Sequence, residues 1–213
     1  RPEPDPVALL QARLRDGIEE GLSLVVAKAV LGLLAAGAAP AEIVRTGLEF
    51  GIAYRAPGWG AGLTVLVAMA NVLDGLDPDD QAAALIHALV FVSRDTRGNA
   101  PKFAVGPLRT TRVPAERLEA WYRRFVDTRS SDAAERVLET AIGDDASSDD
   151  LAVAERMMFA AVTDHVFIDG GHAIDFTNKG FEGLELVGHD QARAVLPTLV
   201  PLATNAMRSE ESG

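Results

Sequence analysis

Side chains of metal-ligand type gather at one place in this sequence, between Thr163 and Lys179. Two of the four histidines, His165 and His172, stand there seven residues apart. Asp164, Asp169 and Asp175 flank them, Gly170-Gly171 separates them, and Val166, Phe167, Ile168, Ile174 and Phe176 make the surroundings apolar. Polar groups in such a setting cost desolvation free energy unless hydrogen bonds or a metal ion compensate. The sequence leaves both compensations open. On a continuous helix the two imidazoles would be two turns apart on one face. A break at Gly170-Gly171 would set them on two helices meeting at a corner, and either geometry lets them converge. Asp175 shares a face with His172, one turn on. Asp164 and Asp169 are expected as further ligands or as carboxylates that fix an imidazole tautomer.

His87 is the third candidate, a polar residue in the very apolar stretch 82–91. Read alone, it is a buried neutral imidazole bonded to a carbonyl or a tyrosine. Read with His165, His172 and Asp175, it completes a set of the kind that holds Fe(II), Mn(II) or Zn(II): histidines plus a carboxylate, with positions left open. No His-Glu-x-x-His spacing reinforces the set, and a polar network joining three helices accounts for the same residues. His189 reads as a helix-start residue, with Asp190 complementing the helix dipole. Lys102 and Arg97 lie in a long loop, where they are solvated charges or contacts to an anionic substrate. Lys179 pairs with Asp175 at helical spacing. Gly58-Trp59-Gly60-Ala61-Gly62 follows a helix and is not a strand-turn-helix nucleotide loop; close helix packing explains its glycines, and Trp59 is placed against a pocket. No Gly-x-Ser-x-Gly is present to carry a serine nucleophile.

These side chains must be positioned by helices. Apolar residues recur at helical spacing nearly throughout, and nowhere alternate with a period of two. Pro starts and Gly stops divide the pattern into about ten helices, expected at 6–20, 22–36, 40–54, 61–73, 78–94, 115–128, 131–142, 151–167, 172–187 and 190–207. The fold class is all-α. A long loop covers 95–113, of a length that is often functional. Residues 1–6 and 208–213 are expected to be flexible tails around a single helical domain, 7–207. A faint internal repeat pairs 27–31 with 134–138, and the break at Pro57-Gly58 with that at Gly170-Gly171. It suggests two five-helix halves, 7–97 and 115–207, with the helices after each break side by side near a pseudo-twofold axis.

Composition bounds the partners. The chain has 213 residues, is 48% hydrophobic and carries a net charge of −11. That acidity argues against nucleic acid. Zero cysteines exclude disulfides, thiolate zinc and an iron–sulfur cluster held by this chain, and favour a cytoplasmic setting. No apolar run spans a bilayer, and no leader peptide is recognisable. A homo-oligomer remains open.

The stretches Asp164-His165, Gly171-His172-Ala173-Ile174-Asp175-Phe176, Asn178-Lys179-Gly180-Phe181-Glu182 and Val195-Leu196-Pro197 resemble a helical family some of whose members are associated with Rieske iron–sulfur domains. Gly58-Trp59-Gly60-Ala61-Gly62-Leu63-Thr64 and Ala84-Leu85-Ile86-His87 are similar to its N-terminal half. More distantly, Gly171-His172-Ala173-Ile174 resembles the Gly-His-Ala-Val stretch of the questin-oxidase-like family, which includes oxygenases that cleave anthraquinone rings with a histidine-bound metal. Those proteins are longer and tend to carry Lys where Asp175 stands. The resemblance implies an all-helical fold and a metal role for His87, His165 and His172.

The leading expectation is therefore a metal-dependent, non-haem iron oxidoreductase. O₂ would be activated at His87, His165 and His172, with Asp175 as carboxylate ligand or base. The substrate would be a hydrophobic, aromatic small molecule near Trp59 and Lys102, and electrons would come from the substrate or a separate redox partner. The alternatives are a non-enzymatic helical ligand-binding or protein-interaction module, and a zinc-dependent hydrolase.

Overall fold

A computed structural model describes residues 5–109 and 113–211. Among them the structure is helical, with no strand and one isolated antiparallel bridge, Ile168 to Arg208. No helix of the described residues is long and apolar enough to cross a membrane. The chain divides into two compact units, 1–56 with 60–101, and 57–59 with 102–213. The division between 101 and 102 falls inside the long loop expected over 95–113. Of the expected N-terminal tail only Asp5 and Pro6 are described.

The first unit holds α1 (Pro6–Glu19), α2 (Ser23–Ala35), α3 (Pro40–Ala53), α4 (Ala61–Ala70) and α5 (Pro78–Thr96). Start signals act as the sequence promised. Pro6, Pro40 and Pro78 each sit in the first helical turn, where the missing N–H has no intrahelical acceptor to lose. Asp5 caps α1 by accepting the Val7 N–H at 3.0 Å. α4 stops at Ala70, earlier than its apolar pattern, and a 3₁₀ turn, Leu73–Gly75, follows. α5 packs against all four of the other helices. Its faces separate with a 3.6-residue period: Leu85, Ala88, Leu89 and Val92 are buried, while His87 is exposed. Gly62 lets α4 approach α5; a Cβ there would lie 2.8 Å from the Phe91 carbonyl oxygen. Close helix packing is the role its glycine-rich segment was expected to have.

The second unit holds α6 (Ala115–Asp127), α7 (Ser131–Ile142), α8 (Ser148–Thr163), α9 (His172–Val187), α10 (Ala192–Val195) and α11 (Val200–Ala203). α6, α7 and α8 pack on one another, and α9 lies between α8 and the C-terminal stretch. The stretch expected as one helix over 190–207 is broken. Pro197 and Pro201 remove two backbone donors, and 3₁₀ turns at His189–Gln191 and Leu196–Leu199 interleave with α10 and α11. α8 starts before its apolar run. Ser147 accepts the Asp150 N–H at 3.2 Å and donates to the Asp150 carboxylate at 2.6 Å, a local cap inside what reads as a polar loop.

Candidate functional site

The polar cluster of the sequence becomes a strained loop. α8 ends at Thr163, and α9 begins at His172. Between them Phe167, Asp169, Gly170 and Gly171 all have positive φ, at 53°, 50°, 66° and 99°. For the two non-glycine residues that conformation costs about 1–2 kcal/mol each. Such strain persists only where the surroundings enforce it.

The enforcement comes from the C-terminal segment 207–211, which is anchored; of the tail expected over 208–213, residues 212 and 213 lie outside the described residues. The Asp169 N–H donates to the Met207 carbonyl at 2.8 Å, and the Ser209 N–H to the Val166 carbonyl at 3.2 Å. The Ser209 hydroxyl donates to the Phe167 carbonyl at 3.3 Å. Glu210 accepts the Val166 N–H at 3.1 Å. Arg208 is 3% exposed and puts its guanidinium on the C-terminus of α6, donating to the Val126 and Asp127 carbonyls. A cation suits that end of the helix dipole and satisfies carbonyls left without intrahelical donors. Glu211 pairs with Arg129.

His165 is the hinge-pin of this assembly. Its Nδ1 is 2.8 Å from Glu210 Oε1, and its Nε2 is 3.9 Å from Asp127 Oδ1. Its own amide hydrogen bond first, and His165 after it, hold the Glu210 carboxyl below the usual carboxylate range. Asp164 is bound by the Arg123 fork through Nε and Nη2, both at 2.6 Å, which lowers it in the same way. Each expected flanking carboxylate thus has a different fate: Asp164 is an ion-pair partner, and Asp169 is a backbone-donating member of the loop.

Beside the loop lies an apolar groove of about 240 Å³, lined among others by Val162, His165, Phe167, Ile168, Ala173 and Ile174. Ile168 and Ala173 are buried, but Val166, Phe167 and Ile174 are exposed, as is Met207 of the C-terminal segment. Phe167 is 63% exposed.

The other sequence candidates are dispersed. His87 is exposed on α5, its ring 5.2 Å from that of Phe91, so it is not the buried imidazole expected there. His172 is exposed at the start of α9 beside Phe176, and Asp175 is exposed one turn on. Lys179 pairs with Glu182 at 2.7 Å and not with Asp175. Trp59 is buried within the second unit, its N–H donating to the Thr198 carbonyl at 2.6 Å. Lys102 is neither solvated nor open to a substrate. Its ammonium sits 2.9 Å from both oxygens of Glu135, and both side chains are nearly inaccessible. His189 faces Glu185 at 2.9 Å.

Two functional features escaped the sequence. One is the C-terminal strap, whose key residues Glu210 and Arg208 lie more than forty residues from their partners and carry no spacing signal. The other is a buried charge system on α7. Glu135 and Glu139, one turn apart, face Lys102 and Arg193. Glu135 also accepts the Val105 N–H at 3.2 Å, which seats the segment after Lys102 on α7. Burial pushes Glu139 up despite Arg193. Two glutamates interrupting an apolar stripe at helical spacing were the available sign.

A metal fit follows from donor geometry. Among the described residues no group of three or more His, Asp or Glu side chains is disposed to hold an ion. Both ring nitrogens of His165 face carboxylates, and the exposed His172 and Asp175 bring no further donor to it. Comparison with family models, with curated proteins and with solved structures finds no match.

Proposed function

We propose that this chain is a non-catalytic helical binding module. Its recognition site is the groove beside the 164–171 loop, and its ligand is an apolar side chain carried on a basic partner segment. One observation carries the reading. Three large apolar side chains, Val166 and Phe167 of the loop and Ile174 of α9, stand exposed around one groove, and the loop is held in a costly conformation. Contiguous exposed apolar surface marks interaction sites, and a loop shaped in advance loses less entropy on binding. The preference for a basic partner rests on the carboxylates of Asp169 and Asp127 and on the net charge of −11.

The test is a titration of isotope-labelled protein with two short peptides that share a Leu-Phe centre and differ only in Lys or Glu flanks. The Lys-flanked peptide shifts resonances of the loop, and Ile174→Asp, at an exposed position of α9, weakens it about tenfold or more. Equal binding of both peptides, or indifference to Ile174→Asp, overturns the reading. So does stoichiometric iron or manganese in untagged protein that is lost in His172→Ala, which would restore the oxidoreductase.

A further inference from the structure

The first unit carries a second apolar groove with the opposite charge. It lies between α1 and α2 and is lined by Leu10, Arg13, Val25, Lys28 and Ala29, with a volume of about 260 Å³. Its floor is set by close approach: a Cβ at Gly32 of α2 would lie 2.8 Å from the Leu10 side chain. The same helix pair also leaves large apolar side chains open to solvent. Leu24 is 68% exposed, and Leu9, Leu22 and Leu31 are exposed with it. Leu24, Lys28 and Leu31 follow one another at helical spacing along the outer face of α2. α2 has no acidic residue, and the two charged groups lining the groove, Arg13 and Lys28, are both cations. Both are exposed, and neither forms an ion pair among the described residues.

From this surface we infer a docking site for an acidic amphipathic helix of a partner protein. The apolar stripe of such a helix enters between α1 and α2, and its carboxylates meet Arg13 and Lys28. The surface suits a helix because Leu24, Lys28 and Leu31 repeat at i, i+4 and i+7 on exposed positions of α2, a stripe of two turns, about 10 Å long. An apolar groove rimmed by charge is the usual seat of a helix recognised at i, i+3, i+4 and i+7. Complementary charge then sets partner choice and encounter rate more than it sets affinity. Arg13 and Lys28 are the charged residues that line this groove, and their sign is opposite to the chain's net charge of −11.

The experiment uses the full chain and two fluorescent amphipathic peptides with identical leucine spacing, one flanked by Glu and one by Lys. The Glu peptide binds, and added salt weakens it. In an Ile174→Asp background, which disables the groove beside the loop, the double variant Arg13→Glu with Lys28→Glu loses about tenfold or more for the Glu peptide and gains binding of the Lys peptide, while its helical circular dichroism is retained. Ile174→Asp, in the other unit, leaves binding of the Glu peptide unchanged, so this site and the one beside the loop fail or stand separately. Four results overturn the inference: no binding of either peptide, equal binding of both, indifference to charge reversal, or uptake by phosphatidylserine vesicles with the Glu peptide excluded.

Discussion

The two units differ most in their last helical stretch. α5 is an unbroken 19-residue helix that touches each of its four neighbours. The last helical stretch of the second unit, residues 192–203, is cut by Pro197 and Pro201 into two four-residue helices around a 3₁₀ turn, and it packs on α7 and α9. A continuous central helix gives the first unit its core directly. In the second unit α6, α7 and α8 close on themselves, and the chain beyond α11 is free to return and strap a loop. The consequence is a division of labour. Unit one presents a groove rimmed by cations on a regular helix pair. Unit two presents a groove beside a loop whose shape depends on hydrogen bonds from a segment far along the chain. A rigid framework can carry a site by itself; an irregular one needs a second element to hold it.

The largest test of that contrast is truncation in the two cores. Leu89→Ala removes a fully buried side chain of α5 that lies against the Gly47 backbone. It should cost about 4 kcal/mol, near the top of the range for leucine truncation. Leu199→Ala, in the broken stretch against Gly180, should cost about 2–3 kcal/mol, because short irregular turns relax into the void more readily. Urea denaturation of both measures the difference, and equal losses would erase the distinction between the units. Next, Arg208→Met should cost about 2 kcal/mol, since it leaves two carbonyls at the end of α6 without their charged donor. Hydrogen exchange should then speed up across 166–171 and stay unchanged in α5; protection retained in the loop would refute the strap.

A smaller effect of opposite sign is expected at Asp169. Asp169→Gly relieves a positive φ of 50° and should stabilise the protein by about 0.5–1 kcal/mol, while weakening the Lys-flanked peptide because a carboxylate beside the groove is lost. Stabilisation with undiminished binding would take Asp169 out of the recognition of basic partners.

The smallest effects are in pH. Glu210 is held low in the folded protein, so its contribution is present above the ordinary carboxylate range and is lost as pH falls through its depressed pKa. Glu139 is pushed up by burial, so its contribution is present below the ordinary range and is lost as pH rises through its elevated pKa. Glu210→Gln should therefore flatten the acid limb of the stability profile, and Glu139→Gln the slope on the other side. Matching changes from both variants would contradict the assigned environments.

Legibility followed the range of the forces involved. Helix starts at Pro6, Pro40 and Pro78 were readable because capping and the fixed φ of proline act within a few residues. His87 was misjudged because a single polar residue in an apolar run has no sign of which face it takes until the other helices choose theirs. The same applies to Lys102, whose partner Glu135 is separated from it by a loop and a helix. The loop at 164–171 was visible as an accumulation of polar residues and glycines, but the groove beside it was not, since one of its walls is built from residues that sit together only after α9 turns back.

What the sequence alone determined is the helical class, most helix boundaries, the acidic character and the place where polar chemistry concentrates; these follow from local backbone preference and composition. What only the tertiary structure decided is the partner of each polar group. His165 is held by Glu210, Arg208 by the end of α6, and Lys102 by Glu135, across separations of 45, 82 and 33 residues. No local rule reaches that far. Desolvation drives every buried charge to find a partner, but which partner is within hydrogen-bonding distance is set by how the helices pack.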